Sequence, residues 1–146
     1  MDTTPDVFVI PVDGSAPAKR LTENLGRNNG PPFTPNGKSI VFSSNRTGSM
    51  PLWKMNPDGT EPVQLTKEET NNWFQRLSPN GAAALFVTYP KGMAGDPPNS
   101  AVELRRLTFA SGANDLMARV TGGPASAPTF SPANSQIVFV SYQMVY

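Results

Sequence analysis

Acidic, amide and guanidinium side chains carry whatever chemistry this sequence offers, because it contains neither histidine nor cysteine. Without His there is no side chain poised to exchange protons near neutral pH and no imidazole metal ligand. Without Cys there is no thiolate nucleophile, no Cys-ligated metal and no disulfide. The acids do not assemble a site in the sequence. Asp96, Asp115 and the Glu68-Glu69 pair lack the D-x-D-x-D-G spacing of a calcium loop. Paired carboxylates could serve glycoside hydrolysis, but each acid here reads as an ordinary turn or surface residue. The segment Gly92 to Gly95 lacks the Gly-Lys-Ser/Thr ending of a phosphate loop, and no G-x-S-x-G nucleophile elbow occurs. The sequence predicts no catalytic residue, no metal and no cofactor.

Recognition is the chemistry left. Arg27, Asn28, Arg46, Asn71, Asn72, Lys91, Asp96 and Asn99 fall in the longer segments between apolar runs, where binding residues gather on a rigid scaffold. Asn and Arg are adaptable hydrogen-bonding groups suited to a peptide or a saccharide. The plainer account is that Asn abounds in turns for backbone reasons. The Asn28-Asn29 and Asn71-Asn72 pairs, 43 positions apart, read as a repeated structural turn rather than a binding code. The longest connection, Tyr89 to Ser100, exceeds what a compact domain needs, and such loops are often functional; it is the expected source of partner specificity. A formal charge of +1, with Lys and Arg scattered, gives no electrostatic case for nucleic acid or an anionic membrane.

The elements that must hold these loops are short apolar runs at fixed offsets. Three segments share a Ser/Thr-Pro turn: Phe33-Thr34-Pro35-Asn36-Gly37 before Ile40-Val41-Phe42, Leu77-Ser78-Pro79-Asn80-Gly81 before Leu85-Phe86-Val87, and Phe130-Ser131-Pro132-Ala133-Asn134 before Ile137-Val138-Phe139. A second module alternates with them. It runs Val7 to Gly14 and on to Leu21-Thr22, then Leu52 to Gly59 and on to Leu65-Thr66. Leu21 to Leu65 and Phe33 to Leu77 are both 44 positions apart, so two independent markers share one period. Pro presets the second position of a tight turn and Gly relieves the fourth, while Asp13-Gly14 and Asp58-Gly59 signal hairpins through residues that tolerate positive φ. The runs between them are β-branched or aromatic and too short for helices. No stretch approaches the roughly 20 apolar residues of a membrane span.

The predicted fold is therefore all-β, with β-propeller blades of four antiparallel strands. A blade cannot bury its own faces, so Phe33, Ile40, Phe42, Leu52, Trp53, Leu65, Leu77, Leu85, Phe86, Phe130, Ile137 and Phe139 are expected between stacked blades. The run Thr34 to Arg46, followed by Leu52-Trp53-Lys54-Met55-Asn56-Pro57-Asp58-Gly59 and Leu65-Thr66, resembles the repeat of TolB-like propellers. The whole chain resembles the C-terminal half of such a six-bladed propeller. The resemblance implies a non-catalytic periplasmic scaffold that binds a protein or peptide. The alternative is a small-ligand or saccharide-binding propeller that uses the channel-mouth loops. The insertion at Tyr89 to Ser100 also resembles one near the C-terminus of TolB-like proteins from diverse bacteria. The N-terminus has no basic segment before its apolar run and reads as carrying no export signal, which leaves a cytoplasmic location open.

One domain over residues 1–146 is expected, with a half-blade at 7–22, blades at 32–66 and 73–121, and a half-blade at 127–142. Two blades plus two complementary halves make about three blades, too few for a ring. Either the chain is a piece of a longer propeller, or two copies complete each other as a homodimer with a six-bladed ring.

Overall fold

The computed structural model describes residues 4–90, 101–121 and 123–142, and within them every regular element is a strand. The strands are β1 (Phe8–Val9), β2 (Lys19–Arg20), β3 (Asn28–Asn29), β4 (Ile40–Ser44), β5 (Leu52–Met55), β6 (Val63–Gln64), β7 (Asn71–Leu77), β8 (Ala83–Tyr89), β9 (Val102–Thr108), β10 (Asn114–Val120), β11 (Ala125–Phe130) and β12 (Ile137–Ser141). They form four antiparallel sheets in chain order: β1-β2, then β3-β4-β5-β6, then β7-β8-β9-β10, then β11-β12. This is a partial propeller, with two four-stranded blades between two two-stranded sheets.

Local turn chemistry explains why each first strand folds back on the second. In the three Ser/Thr-Pro corners the amide of the fourth residue donates to the carbonyl of the first: Gly37 to Thr34 (2.8 Å), Gly81 to Ser78 (2.9 Å) and Asn134 to Ser131 (2.8 Å). The hydroxyl of that first residue then accepts the amide five residues on: Ser39 to Thr34 (3.0 Å), Ala83 to Ser78 (2.9 Å) and Gln136 to Ser131 (3.0 Å). A Ser or Thr is thus required by the hydrogen bond and not only by turn propensity. The Asp-Gly hairpins close differently from the sequence expectation. Gly14 and Gly59 take positive φ, but Asp13 and Asp58 do not. Instead Gly59 donates to the carbonyl of Asn56 (3.0 Å) and Asn56 to that of Thr60 (2.9 Å), a wider turn with the glycine alone in the left-handed region.

The first strand of each blade carries one extra residue. Pairing runs Asn29↔Ser43 then Phe33↔Ile40, Trp73↔Val87 then Arg76↔Leu85, and Ser126↔Val140 then Thr129↔Val138, a slip of one residue every time. At the slip sit Gly30, Phe74 and Ala127, three residues before Phe33, Leu77 and Phe130, with φ of 57°, 57° and 50°. A repeated β-bulge therefore re-aims each first strand.

Three apolar clusters hold the sheets together, one per junction. Val7, Ile40, Phe42 and Met55, with Leu21 and Trp53, join the β1-β2 sheet to the next. Leu52, Ala84, Phe86 and Leu107, with Leu65, Leu77 and Phe109, join the two full blades. Val87, Tyr89, Val102, Val120 and Ala125, with Trp73 and Phe139, join the last pair. Most of the expected core is there, and Leu85 is fully buried. Phe33 is not: it is 47% exposed. Its counterpart Leu77 packs against the junction cluster between the two full blades, whereas Phe33 joins none of the three clusters. Phe130 and Ile137, in the last sheet, are half-buried, and no further sheet among the described residues follows it.

Candidate functional site

The connections between second and third strands share one end of the sheets with the connections between blades, and backbone bonds tie the two together. Met50, just before β5, donates to Thr70 (3.3 Å) and accepts from Asn72 (3.0 Å), making a parallel bridge to the start of β7. In the preceding repeat Asn28 donates to Pro5 in the same way (3.0 Å). The loop of one blade is thus laced to the first strand of the next, and the surface between neighbouring first strands is held on stitched backbone.

A cleft of about 710 Å³ lies there, between β3 and β7, lined by Arg27, Asn29, Gly30, Asn45, Gly48, Met50, Asn71, Trp73, Phe74, Gln75 and Arg76. Its floor is Gln75, which is 1% exposed and donates from Nε2 to the carbonyls of Asn29 (2.8 Å) and Gly30. Ser43 reinforces the seam by donating from Oγ to the carbonyl of Asn72 (2.7 Å). On the wall, the Arg27 guanidinium lies 5.2 Å from the centroid of the Trp73 ring, a cation–π contact. With the Asn29 side-chain amide turned so that its oxygen faces donors, it accepts from Arg27 Nε (3.1 Å), and Asn45 Oδ1 accepts the Arg27 amide (2.6 Å). Arg76 donates to the carbonyl of Gln75 (3.1 Å). The lining includes two cations, four amides and two aromatic rings, but no carboxylate. Neither Arg27 nor Arg76 forms an ion pair among the described residues.

The eight residues singled out in the sequence divide into three groups. Arg27 and Asn71 line the cleft. Asn28 and Asn72 lie in strands rather than loops and are buried. Asn28 Nδ2 donates to Gly26 (2.9 Å) and Pro5 (3.2 Å), while Asn72 Oδ1 accepts from Thr88 Oγ1 (2.8 Å). Both are structural latches, because a buried amide is stable only when its groups are paired. Arg46 caps the first junction, lying 4.7 Å from the Trp53 ring and 5.2 Å from the Phe42 ring, and donating to Ser44 (3.0 Å) and Asn28 (3.3 Å). Burial pulls its guanidinium below the ordinary arginine range, yet it stays charged. Lys91, Asp96 and Asn99 lie outside the described residues.

Trp73, Phe74, Gln75 and Arg76 were not anticipated as site residues. One signal was available: Trp73 and Phe74 are adjacent, and neighbours on a strand face opposite ways, so a half-buried strand cannot hide both. Other ionisable groups are committed to turns. Asp13 and Asp58 are held below the usual carboxylate range, Asp13 chiefly by the Ser15 amide and Asp58 by the Thr60 hydroxyl and amide. No group of three or more metal-ligating side chains occurs among the described residues.

The family model of the TolB beta propeller domain matches residues 1–145. The chain belongs to this family. An uncharacterized protein of Agrobacterium fabrum is 30% identical to this TolB-family chain over 139 residues, covering 94% of the chain and 47% of the relative. The solved structure of a putative TolB from Agrobacterium tumefaciens superimposes with a TM-score of 0.74 at 31% identity, over 81% of this chain and 42% of that one. TolB from Acinetobacter baumannii gives 0.78 at 21% identity, over 98% of this chain and 33% of that one, a likeness of fold alone. This TolB-family chain therefore spans about half the length, or less, of the relatives it matches.

Proposed function

We propose that this chain is a non-catalytic interaction scaffold of the periplasm, which holds a segment of a partner protein in the cleft between β3 and β7. The observation that carries this reading is the cleft's composition on a rigid base. Exposed aromatic surface stands beside amides and guanidinium groups, and Gln75 and the Met50 bridge fix the backbone beneath. Aromatic and Arg side chains are the residue types that dominate binding energy at protein interfaces. Family membership supports a binding role in the cell envelope. Nothing in the cleft offers a nucleophile or a general base.

The test compares the native chain with Trp73→Ala as bait in an envelope extract, in parallel with a glycan array. A protein retained by the native chain and lost with Trp73→Ala is the expected result. Glycan binding without any Trp73-dependent protein would overturn the reading in favour of a saccharide-binding propeller.

The partner of the scaffold includes, in this proposal, a second copy of the chain. β1-β2 is the outer half of a blade and β11-β12 the inner half, and each has the strands that the other lacks. Two copies joined at both ends give two shared blades and four private ones, a closed ring with two-fold symmetry.

A further inference from the structure

Phe74 occupies a position that argues against its own residue type. Bulge residues in the left-handed region favour glycine or a small side chain, and a bulky one there is an outlier. The equivalent places in the other two repeats hold Gly30 and Ala127. Here a phenylalanine takes φ 57°, and its ring, which joins none of the three junction clusters, stays 39% exposed on the cleft wall. Backbone strain combined with exposed aromatic surface has no return in folding, and such strain concentrates at ligand sites. The charge pattern is equally one-sided, with Arg27 and Arg76 facing the cleft and no carboxylate answering them.

We infer that the cleft takes an acidic linear peptide, with a carboxylate received by Arg27 and Arg76 and an adjacent apolar side chain seated against Phe74 and Trp73. This rests on the scaffold reading and names its ligand chemistry. Arg27 is already braced: the Trp73 face fixes its guanidinium plane, and Asn29 takes its Nε. Its terminal nitrogens are left to meet a carboxylate two at a time, the geometry that makes Arg–carboxylate recognition strong. A positive cleft with low-dielectric walls also draws an anionic segment in.

The probes are a short labelled peptide rich in Glu and Leu, its counterpart with Gln at every Glu, and polygalacturonate as an acidic saccharide. Fluorescence anisotropy with the native chain should show the Glu peptide binding at least about tenfold more tightly than the Gln peptide, the scale of a charge-assisted hydrogen bond. Binding should weaken as salt rises. Arg27→Gln should abolish the preference for Glu. Phe74→Ala, which installs the residue the last repeat already tolerates, should weaken both peptides with the circular dichroism spectrum unchanged. Equal affinity for the Glu and Gln peptides would overturn the acidic specificity while the scaffold reading stands. Failure of both peptides would also overturn it, the extract experiment then deciding the scaffold reading separately. Saturable binding of polygalacturonate, lost in Phe74→Ala and unaccompanied by peptide binding, would sink both.

Discussion

At the scale of single residues, the hydroxyl of the Leu-Thr pair does more than mark the repeat. Thr66 Oγ1 accepts the amide of Leu52 (2.9 Å), and Thr22 Oγ1 accepts that of Val7 (2.9 Å), each a buried bond across the outer hairpin. Thr66→Val keeps the shape and strands the Leu52 amide away from water. An orphaned buried donor costs about 1–3 kcal/mol, so urea unfolding of Thr66→Val should show a loss of that size, largely restored in Thr66→Ser. Asp6 behaves differently because its carboxylate is charged. Burial raises its pKa, but hydrogen bonds from Arg20, Thr22 and Asn28 and the Arg20 charge outweigh this, leaving it below the ordinary 3.8. The unfolded chain binds the proton more readily than the folded one, so the stabilisation is present in full above the unfolded value and is lost as pH falls through the folded one. Acid unfolding followed by tryptophan fluorescence should therefore be shallower below pH 3.8 in Asp6→Asn than in the native chain. An unaltered acid limb would show that the Arg20 and Thr22 contacts do not hold the proton off.

The strands and turns were legible in the sequence to the extent that their chemistry is local. A Ser/Thr-Pro corner needs only its own six residues, so Thr34, Ser78 and Ser131 announced three hairpins, and the 44-residue period followed. The bulge was invisible because Gly30, Phe74 and Ala127 have no residue type in common; what they share is a register slip created by pairing. The cleft was missed for the same reason. Whether Trp73 or Phe74 faces outward depends on where the extra residue falls, while Asn28 and Asn72 looked like loop residues until pairing with Ser44 and Thr88 placed them in strands. The bulge makes its own prediction. A left-handed conformation costs an L-residue about 1–2 kcal/mol, and glycine's extra freedom in the unfolded chain returns about 0.5–1 kcal/mol of that. Ala127→Gly, at an exposed site, should therefore stabilise by up to about 1 kcal/mol. Gly30→Ala should destabilise by more than about 1 kcal/mol, because its Cβ would also lie 2.9 Å from Gln75 Nε2. Thermal unfolding of the pair should move Tm in opposite directions, and a shift of the same sign in both would refute the shared bulge.

On the scale of the whole molecule, the repeat itself shows what the two end sheets lack. Ile10 corresponds to Met55 and Val138 to Val41; Met55 is 2% exposed and Val41 fully buried, whereas Ile10 is 58% and Val138 63% exposed. The same holds for Phe8, 56% exposed, whose counterpart Trp53 packs into a junction cluster. These are propeller core positions exposed on the first and last described sheets, and exposed apolar surface beside an open strand edge favours association. In the proposed ring a second copy would cover both ends at once and continue the sheet order of each half-blade. Light scattering on the native chain should then give a particle of twice 15.7 kDa. Val138→Glu sets a charge on a surface that is exposed in one copy and would be buried in the proposed ring, so it should yield a folded monomer with an unchanged β-sheet circular dichroism spectrum. Phe8→Glu, at the opposite end, should do the same, because each shared blade needs both halves. A native chain that stays monomeric at micromolar concentration, or a Val138→Glu variant that stays dimeric, would refute closure by a second copy.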